Sequence, residues 1–322
     1  MSVTIATINV NGIRAAVKER SATNRGLLPW LADTPADIVL LQEVRATEVQ
    51  AREALAPALD TGWQLVMAEA AAKGRAGVGI LSRLPLTPIQ VGIPGFEESG
   101  RFISARIVLG DDQAGGPTDA TDITVASVYI PTGGTGTAKQ DEKYFFLDSL
   151  EDTMAEMVAT AADDPAQPYA LVAGDWNICH APQDLKNFAT NKKKAGCLPD
   201  ERAFMDAIFG TFPDAQSQVE SHGDFFGAVD YPGAGTPRPK RQPATNPQWF
   251  DVARRLEPES APYTWWTYRG HAFDTDAGWR IDVQAVTAAL MEKAVSTVVD
   301  KADAWENRWS DHAPLLVAYD LL

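Results

Sequence analysis

The feature that most limits how this chain can fold is the way its strands run on. VTIATINV, ADIVLLQEV, WQLVMAEA, AGVGILSRL, RFISARIVL, ITVASVYIP, PYALVAGDWNI, RIDVQAV and APLLVAYDL all read as β-strands, by alternation or by β-branched apolar content. YTWWTYR is strand-like as well. Several of these follow one another with only a turn between, and GDDQAGGPTDATD reads as one such polar turn or loop. Helical periodicity is confined to a short segment near residues 24–31 with Pro29 inside it, to DEKYFFLDSLEDTMAEMVATAA and to DERAFMDAIFG. Parallel neighbours need a long crossover between them, usually a helix. The order here predicts an α/β fold built on two mostly antiparallel sheets, packed together with helices outside. The whole of 1–322 reads as a single domain. Residues 213–248, which include YPGAGTPRPKRQPATNP, form an irregular insertion too rich in Gly, Pro, Ser and Gln for a packed element.

At 322 residues and 45% apolar content the chain can bury a sizeable core. It has no apolar run long enough to span a bilayer. The start, MSVTIATINV, lacks the basic and small-residue features of a secretory signal. Cys179 and Cys197 therefore read as reduced thiols of a cytoplasmic protein. The net charge of −15 argues against a passive nucleic-acid coat, which needs a basic field. It does not argue against an enzyme with local basic loops around an acidic centre. Basic residues do gather, at Arg14, Lys18, Arg20 and Arg25, at Lys186, Lys192, Lys193 and Lys194, and at Arg238, Lys240 and Arg241. The last group reads best as solvated surface.

The polar residues with chemical potential fall at the ends of apolar strands, so one rim of the sheets should carry them. Asn9 and Asn11 end the first strand in INVNG, and Asp175 and Asn177 repeat the spacing in GDWN. Side chains two apart on a strand share a face. An Asn pair before Gly is by itself ordinary turn chemistry. Glu43 follows IVLLQ, where a carboxylate must be paired, solvated or bound to metal. Asp311 and His312 lie in SDHAP, and Asp282 in RIDV offers a carboxylate to orient the histidine. His180, His222 and His271 have no such neighbours and read as packed or surface residues. Carboxylate and amide oxygens suit a hard cation such as Mg²⁺, and such a set with a histidine beside it can meet the needs of phosphodiester hydrolysis at neutral pH.

Together, INVNGIRA, LQEVRA, GDWNICH, GWRID and SDHAP resemble the exonuclease III family of apurinic/apyrimidinic endonucleases, within the endonuclease/exonuclease/phosphatase superfamily. DLKNFATNKKKAGCLPDERAFMD, YTWWTYRG and AFDTDAGWRIDVQ strengthen the likeness, which runs from residue 3 to 320 outside the insertion. The resemblance implies a four-layer, deoxyribonuclease I-like sandwich. It implies a DNA repair nuclease that uses Mg²⁺ or Mn²⁺ and cuts 5′ to abasic sites, with 3′→5′ exonuclease and 3′-end trimming activity. Its partner would be double-stranded DNA with abasic sites or 3′ ends, without a membrane, and it would act as a monomer. Glu43, Asn11 and Asp311 match metal-site positions, and Asn9 a position that supports the phosphate. Tyr129, Asp175, Asn177, Asp282 and His312 match catalytic positions. Trp265, Trp279 and Ile281 match a pocket for the extruded sugar, with Ile281 placed by alternation on the opposite strand face from Asp282. Arg14, Lys186 and Asn187 match DNA-contacting positions. Val283 and Val44 depart from the family pattern but are not catalytic groups.

Two other readings compete. A superfamily cousin acting on a lipid or inositol phosphate would share the metal and SDH motifs, but not the YTWW and GWRID aromatics or the Lys-rich segment 186–194. A non-catalytic DNA-binding relative would have lost at least one catalytic group, and here every such position is filled.

Overall fold

The computed structural model describes residues 2–109, 122–165, 167–211, 241–260 and 262–321. Strands β1 (Ser2–Asn9), β2 (Ile38–Gln42), β3 (Gln64–Ala68), β4 (Val78–Ser82), β11 (Ala294–Val299) and β12 (Leu315–Asp320) form one six-stranded sheet in the order β11-β12-β1-β2-β4-β3. Strands β5 (Leu86–Val91), β6 (Phe102–Val108), β7 (Asp122–Tyr129), β8 (Tyr169–Asp175), β9 (Trp249–Asp251) and β10 (Asp282–Thr287) form the other, in the order β5-β6-β7-β8-β10-β9. Only the central pairs β1–β2 and β7–β8 are parallel, and the remaining pairings are antiparallel.

A continuous apolar layer from both sheets, including Ile5, Leu40, Ile80, Ile107, Val125, Leu171 and Val317, fills the space between them. Polar staples run through that layer and are fully paired, as burial demands. Gln42 donates to Ser127 Oγ at 3.0 Å, and Gln284 donates to the Ile5 carbonyl at 2.9 Å. Tyr319 donates to Gln284 Oε1 at 2.9 Å. Helices cover the outer faces. Helix α4 (Ala138–Asp163) buries Tyr144, Phe146, Leu147, Leu150 and Met154 against one side, with α5 (Pro199–Phe209) beside it. Helices α1 (Ile13–Ala16), α2 (Leu27–Asp33) and α3 (Glu48–Leu59) cover the other. The four-layer order read from the sequence is the order observed.

Four readings of the sequence change. YTWWTYR forms no strand; Trp265 makes isolated bridges to Trp279 and His312, and the segment is otherwise irregular. Edge strands β5 and β11 escaped detection because they lie mostly in solvent and lack an apolar rhythm. Helix α3, entered through a capping box between Thr47 and Gln50, was also missed, its buried face being largely alanine. Most of the 213–248 insertion, with Arg238 and Lys240, lies outside the described residues, as does 110–121 of the polar loop. The described end, 241–248, is irregular but docked. Arg241 pairs with Asp148 and Glu151 of α4 and lies over the Phe204 ring, and the Ala244 amide donates to the Asp206 carbonyl at 3.0 Å. Arg241 therefore holds the insertion's exit to the helices and is not loose surface.

Candidate active site

The C-terminal ends of β1, β2, β7 and β8 meet at one rim, and the entry to β10 joins them because it runs antiparallel to β8. The register puts Asp282 directly across from Asp175, and Tyr129 beside Asp175 on the other flank. Close approach at this corner needs Gly174, because a β-carbon there would lie 1.8 Å from the Val128 carbonyl oxygen. Asn11, Glu43 and Asn177 all have φ near +50°, in the left-handed region that non-glycine residues seldom occupy. Each strand thus turns sharply just past its last pair, and the strain is held by the hydrogen bonds around it.

Asn9 is the hub. Its amide donates to Glu43 Oε1 at 3.0 Å and to Asp175 Oδ2 at 2.9 Å, while its Oδ1 accepts the Asn11 amide at 3.0 Å. Its two N–H groups are thereby used. Fully buried, it can support a phosphate only by orienting those neighbours. Asn11 donates to Asp311 Oδ1 at 2.8 Å, and Trp265 Nε1 donates to Asp311 Oδ2 at 3.0 Å. The SDH loop is tied to β1 by Ser310, whose hydroxyl donates to the Asn9 carbonyl at 2.6 Å. Asn177 lines the pocket, but its amide donates to the Ile130 carbonyl at 2.9 Å and to Asp175 Oδ2 at 3.2 Å. Direct contact with a phosphate would require it to exchange one of these.

His312 stands between two carboxylates. Its Nδ1 is 2.8 Å from Asp282 Oδ2, and its Nε2 is 3.7 Å from Asp175 Oδ2. Burial alone would push the imidazole pKa down, but Asp282 and Asp175 outweigh it and raise it to about 10. Burial raises Asp175 to about 7, with Asp282 and Glu43 adding to the rise against the pull of His312. The Tyr129 phenol is pushed well above its ordinary value by burial and by Glu43 and Asp175, so it remains a donor. The site therefore offers two protonated donors, His312 and Tyr129, facing a carboxylate able to give up or take a proton near neutrality.

The residues expected to hold a metal share this rim. Glu43 Oε1 is held by Asn9, and its Oε2 is met by the Arg45 guanidinium. Among the described residues no group of three or more His, Cys, Asp or Glu side chains is arranged as a closed ligand cage. The carboxylates of Glu43 and Asp311 line one pocket, with Asn11 donating to Asp311, and such a set fits a cation completed by water and substrate phosphate. That is the habit of Mg²⁺.

Glu43, Asp175, Asn177, Trp265, Trp279, Ile281, Asp311 and His312 line a single pocket of about 260 Å³. The Trp265 and Trp279 rings meet edge to face with centroids 5.9 Å apart. Ile281 reaches the pocket after all, because it precedes β10, where strict alternation does not yet hold. Gly196 lines the same pocket, where a β-carbon would crowd Trp279 at 3.2 Å. Arg14 lies apart, lining a neighbouring open groove with Arg45, Lys73 and Arg75. Lys186 and Asn187 are exposed, with the Lys186 amide held to the Gly278 carbonyl at 3.3 Å. They are not drawn into the pocket.

Sequence reasoning missed two groups that position the site. Lys143 is buried in α4 and donates to the Asn177 carbonyl at 2.9 Å while pairing with Glu201 at 2.7 Å. Arg280, also buried, bridges Asp184 at 2.8 Å and Asp251 at 2.7 Å, and so fixes the backbone between Trp279 and Ile281. A charged residue inside an apolar helical stripe, as in DEKYFF, was the available signal for Lys143. Cys179 and Cys197 are unbridged and buried beside Leu185 and Ile281, with Trp265 and Trp279 packed against them. Among the described residues no helix is long and apolar enough to cross a membrane.

Residues 6–312 match the model of the Endonuclease/Exonuclease/phosphatase family. The chain is 26% identical to an exodeoxyribonuclease of Bacillus subtilis over 310 residues, 95% of each chain. It is 26% identical to an exodeoxyribonuclease of Streptococcus pneumoniae over 330 residues, 97% of this chain and 98% of the other. An AP endonuclease from Archaeoglobus fulgidus has the same fold, with a TM-score of 0.70 at 25% identity over 99% of both chains.

Proposed function

We propose, from the premise that this chain belongs to the endonuclease/exonuclease/phosphatase family, that its rim site hydrolyses phosphodiester bonds in DNA, 5′ to abasic sites and at 3′ ends. It is a divalent-metal-dependent DNA repair nuclease, and its relatives are exodeoxyribonucleases and AP endonucleases. The lipid or inositol phosphoesterase reading is not favoured. The observation that carries the DNA reading is the pocket, in which Trp265, Trp279 and Ile281 stand against the same carboxylates and histidine that would act on the phosphate. Double-stranded DNA is the partner we infer, bound by one copy of the chain. The buried free thiols suit the reducing cytoplasm.

Glu43 would hold Mg²⁺ or Mn²⁺ with help from Asn11 and Asp311, and the bound cation supplies charge neutralisation at the phosphate. Asp175, fixed by Asn9 and by the Asn177 amide at 2.9 Å, orients the attacking water and accepts its proton. His312, held by Asp282, donates to a phosphate oxygen as charge builds there. Tyr129 donates from the opposite side. Asn9 acts at one remove, by keeping Glu43 and Asp175 in position. Arg14, Lys186 and Asn187 would hold the DNA backbone outside the pocket.

A baseless sugar turned out of the helix would enter the aromatic pocket, while an intact nucleotide would be too large for it. Trp279→Ala enlarges the pocket without touching the carboxylates. Incision of an abasic duplex should fall about tenfold or more, the loss of an apolar wall buried against the sugar, and discrimination against intact nucleotides should weaken. Turnover of a small generic phosphodiester should hold. Equal loss on both substrates would mean that Trp279 supports the fold and not the sugar.

A further inference from the structure

Beside the pocket two aromatic rings stand out of the surface together. Tyr268 is 42% exposed and Trp305 is 43% exposed, and they meet edge to face with centroids 6.2 Å apart. Each belongs to a segment that also builds the site. Tyr268 follows the Trp265–Trp266 pair, and Trp305 opens the stretch that ends in Asp311 and His312.

The rings rest on a rigid base. Arg308 is buried, and its guanidinium lies 4.6 Å from the Tyr268 ring centroid and 4.5 Å from that of Phe273. Its Nη1 donates to the Trp266 carbonyl at 2.9 Å. Its Nε and Nη2 have no hydrogen-bond partner among the described residues, so ring faces are what this cation meets. Asn24 donates to the carbonyls of Glu306 and Arg308 at 2.9 and 2.8 Å and pins the Trp305 turn from below. Large exposed rings already immobilised lose little freedom when something stacks on them. Arg269 follows Tyr268 in the chain on an exposed side chain, and Asp311, Arg308 and the exposed Arg20 lie within electrostatic reach of the Tyr268 hydroxyl. Asp303 and Glu306 flank Trp305, so the patch is not simply basic and its attraction must come from stacking. A π-face with neighbouring guanidinium groups accepts any base.

We infer that Tyr268 and Trp305 form a stacking platform for an unpaired nucleobase of the DNA, adjacent to the pocket for the baseless sugar. This rests on the DNA reading above. It adds a second contact that would favour substrates whose bases near the lesion have lost their partners.

The test is equilibrium binding in EDTA, read by fluorescence anisotropy. One probe is an abasic duplex with unpaired adenines across from and beside the lesion. The other carries baseless spacers at those adenine positions. The unaltered chain should bind the adenine probe about tenfold more tightly, the size of one base–aromatic stack. Trp305→Ala should abolish that preference while binding the spacer probe as before, and Trp305→Phe should restore part of it. Equal affinity of the unaltered chain for both probes, or a preference that survives Trp305→Ala, overturns the platform. So does self-association of the chain that Trp305→Ala abolishes, which would put a second copy on these rings. Cleavage of a fully paired abasic duplex, measured on the same preparations, separates the two levels. If cleavage occurs without base preference, only the platform fails. If there is neither cleavage nor binding of either probe, the nuclease reading fails with it.

Discussion

Replacing Glu43 with Gln should all but abolish DNA cleavage while the protein stays folded. The substitution keeps the shape at the end of β2 and the carbonyl oxygen that accepts from Asn9. It removes the negative charge that would hold the cation. A bound metal is worth several kcal/mol of transition-state charge stabilisation, and each 1.36 kcal/mol is tenfold in rate. The expected fall in kcat is therefore about a thousandfold or more, with raised Mg²⁺ recovering only part of it. The melting temperature should hold, because Glu43 lies at the rim and Asn9 keeps its remaining bonds to Asp175 and Asn11. Near-normal turnover by Glu43→Gln at ordinary Mg²⁺ would remove Glu43 from the metal site.

The second large effect concerns His312 and Asp282. The 2.8 Å contact between them makes the pair one device, since the carboxylate fixes the ring and sustains its charge. His312→Asn and Asp282→Asn should each lower kcat by about 10²–10⁴-fold, the range for a positioned proton donor. The double variant should be little worse than the poorer single one, because groups that act as a unit give non-additive losses. Both single variants disturb a buried ion pair, so kcat must be compared on protein shown to be folded. Losses that multiply in the double variant would show that the two residues serve separate steps.

Much of the site was legible in the sequence because its residues sit where apolar strands stop. Asn9, Glu43, Asp175 and His312 each adjoin a buried run, and the fold that brings strand ends to one rim brings them together. Asp282 was legible for the same reason, at the start of a strand that runs the other way. What strand periodicity could not give was the turn chemistry past those ends. Asn9 read as a support for phosphate, yet its amide is wholly engaged in holding Glu43 and Asp175. Ile281 read as facing away from Asp282, because alternation was applied to a residue that precedes the strand. Lys143 and Arg280 stayed invisible because their partners, Glu201, Asp184 and Asp251, lie far off in sequence. Edge strands β5 and β11 show the same limit from the other side, since solvent on their faces erases the pattern that burial would impose.

The DNA repair reading is tested most directly by incision of an abasic duplex by the unaltered chain, first in EDTA and then after Mg²⁺ is restored, beside an intact duplex and a phosphoinositide. No cleavage is expected in EDTA. With Mg²⁺ the chain should make a single cut 5′ to the abasic site, trim slowly from the 3′ ends of the intact duplex and release no phosphate from the lipid. Metal-dependent turnover of the phosphoinositide with the abasic strand left whole would contradict the DNA reading.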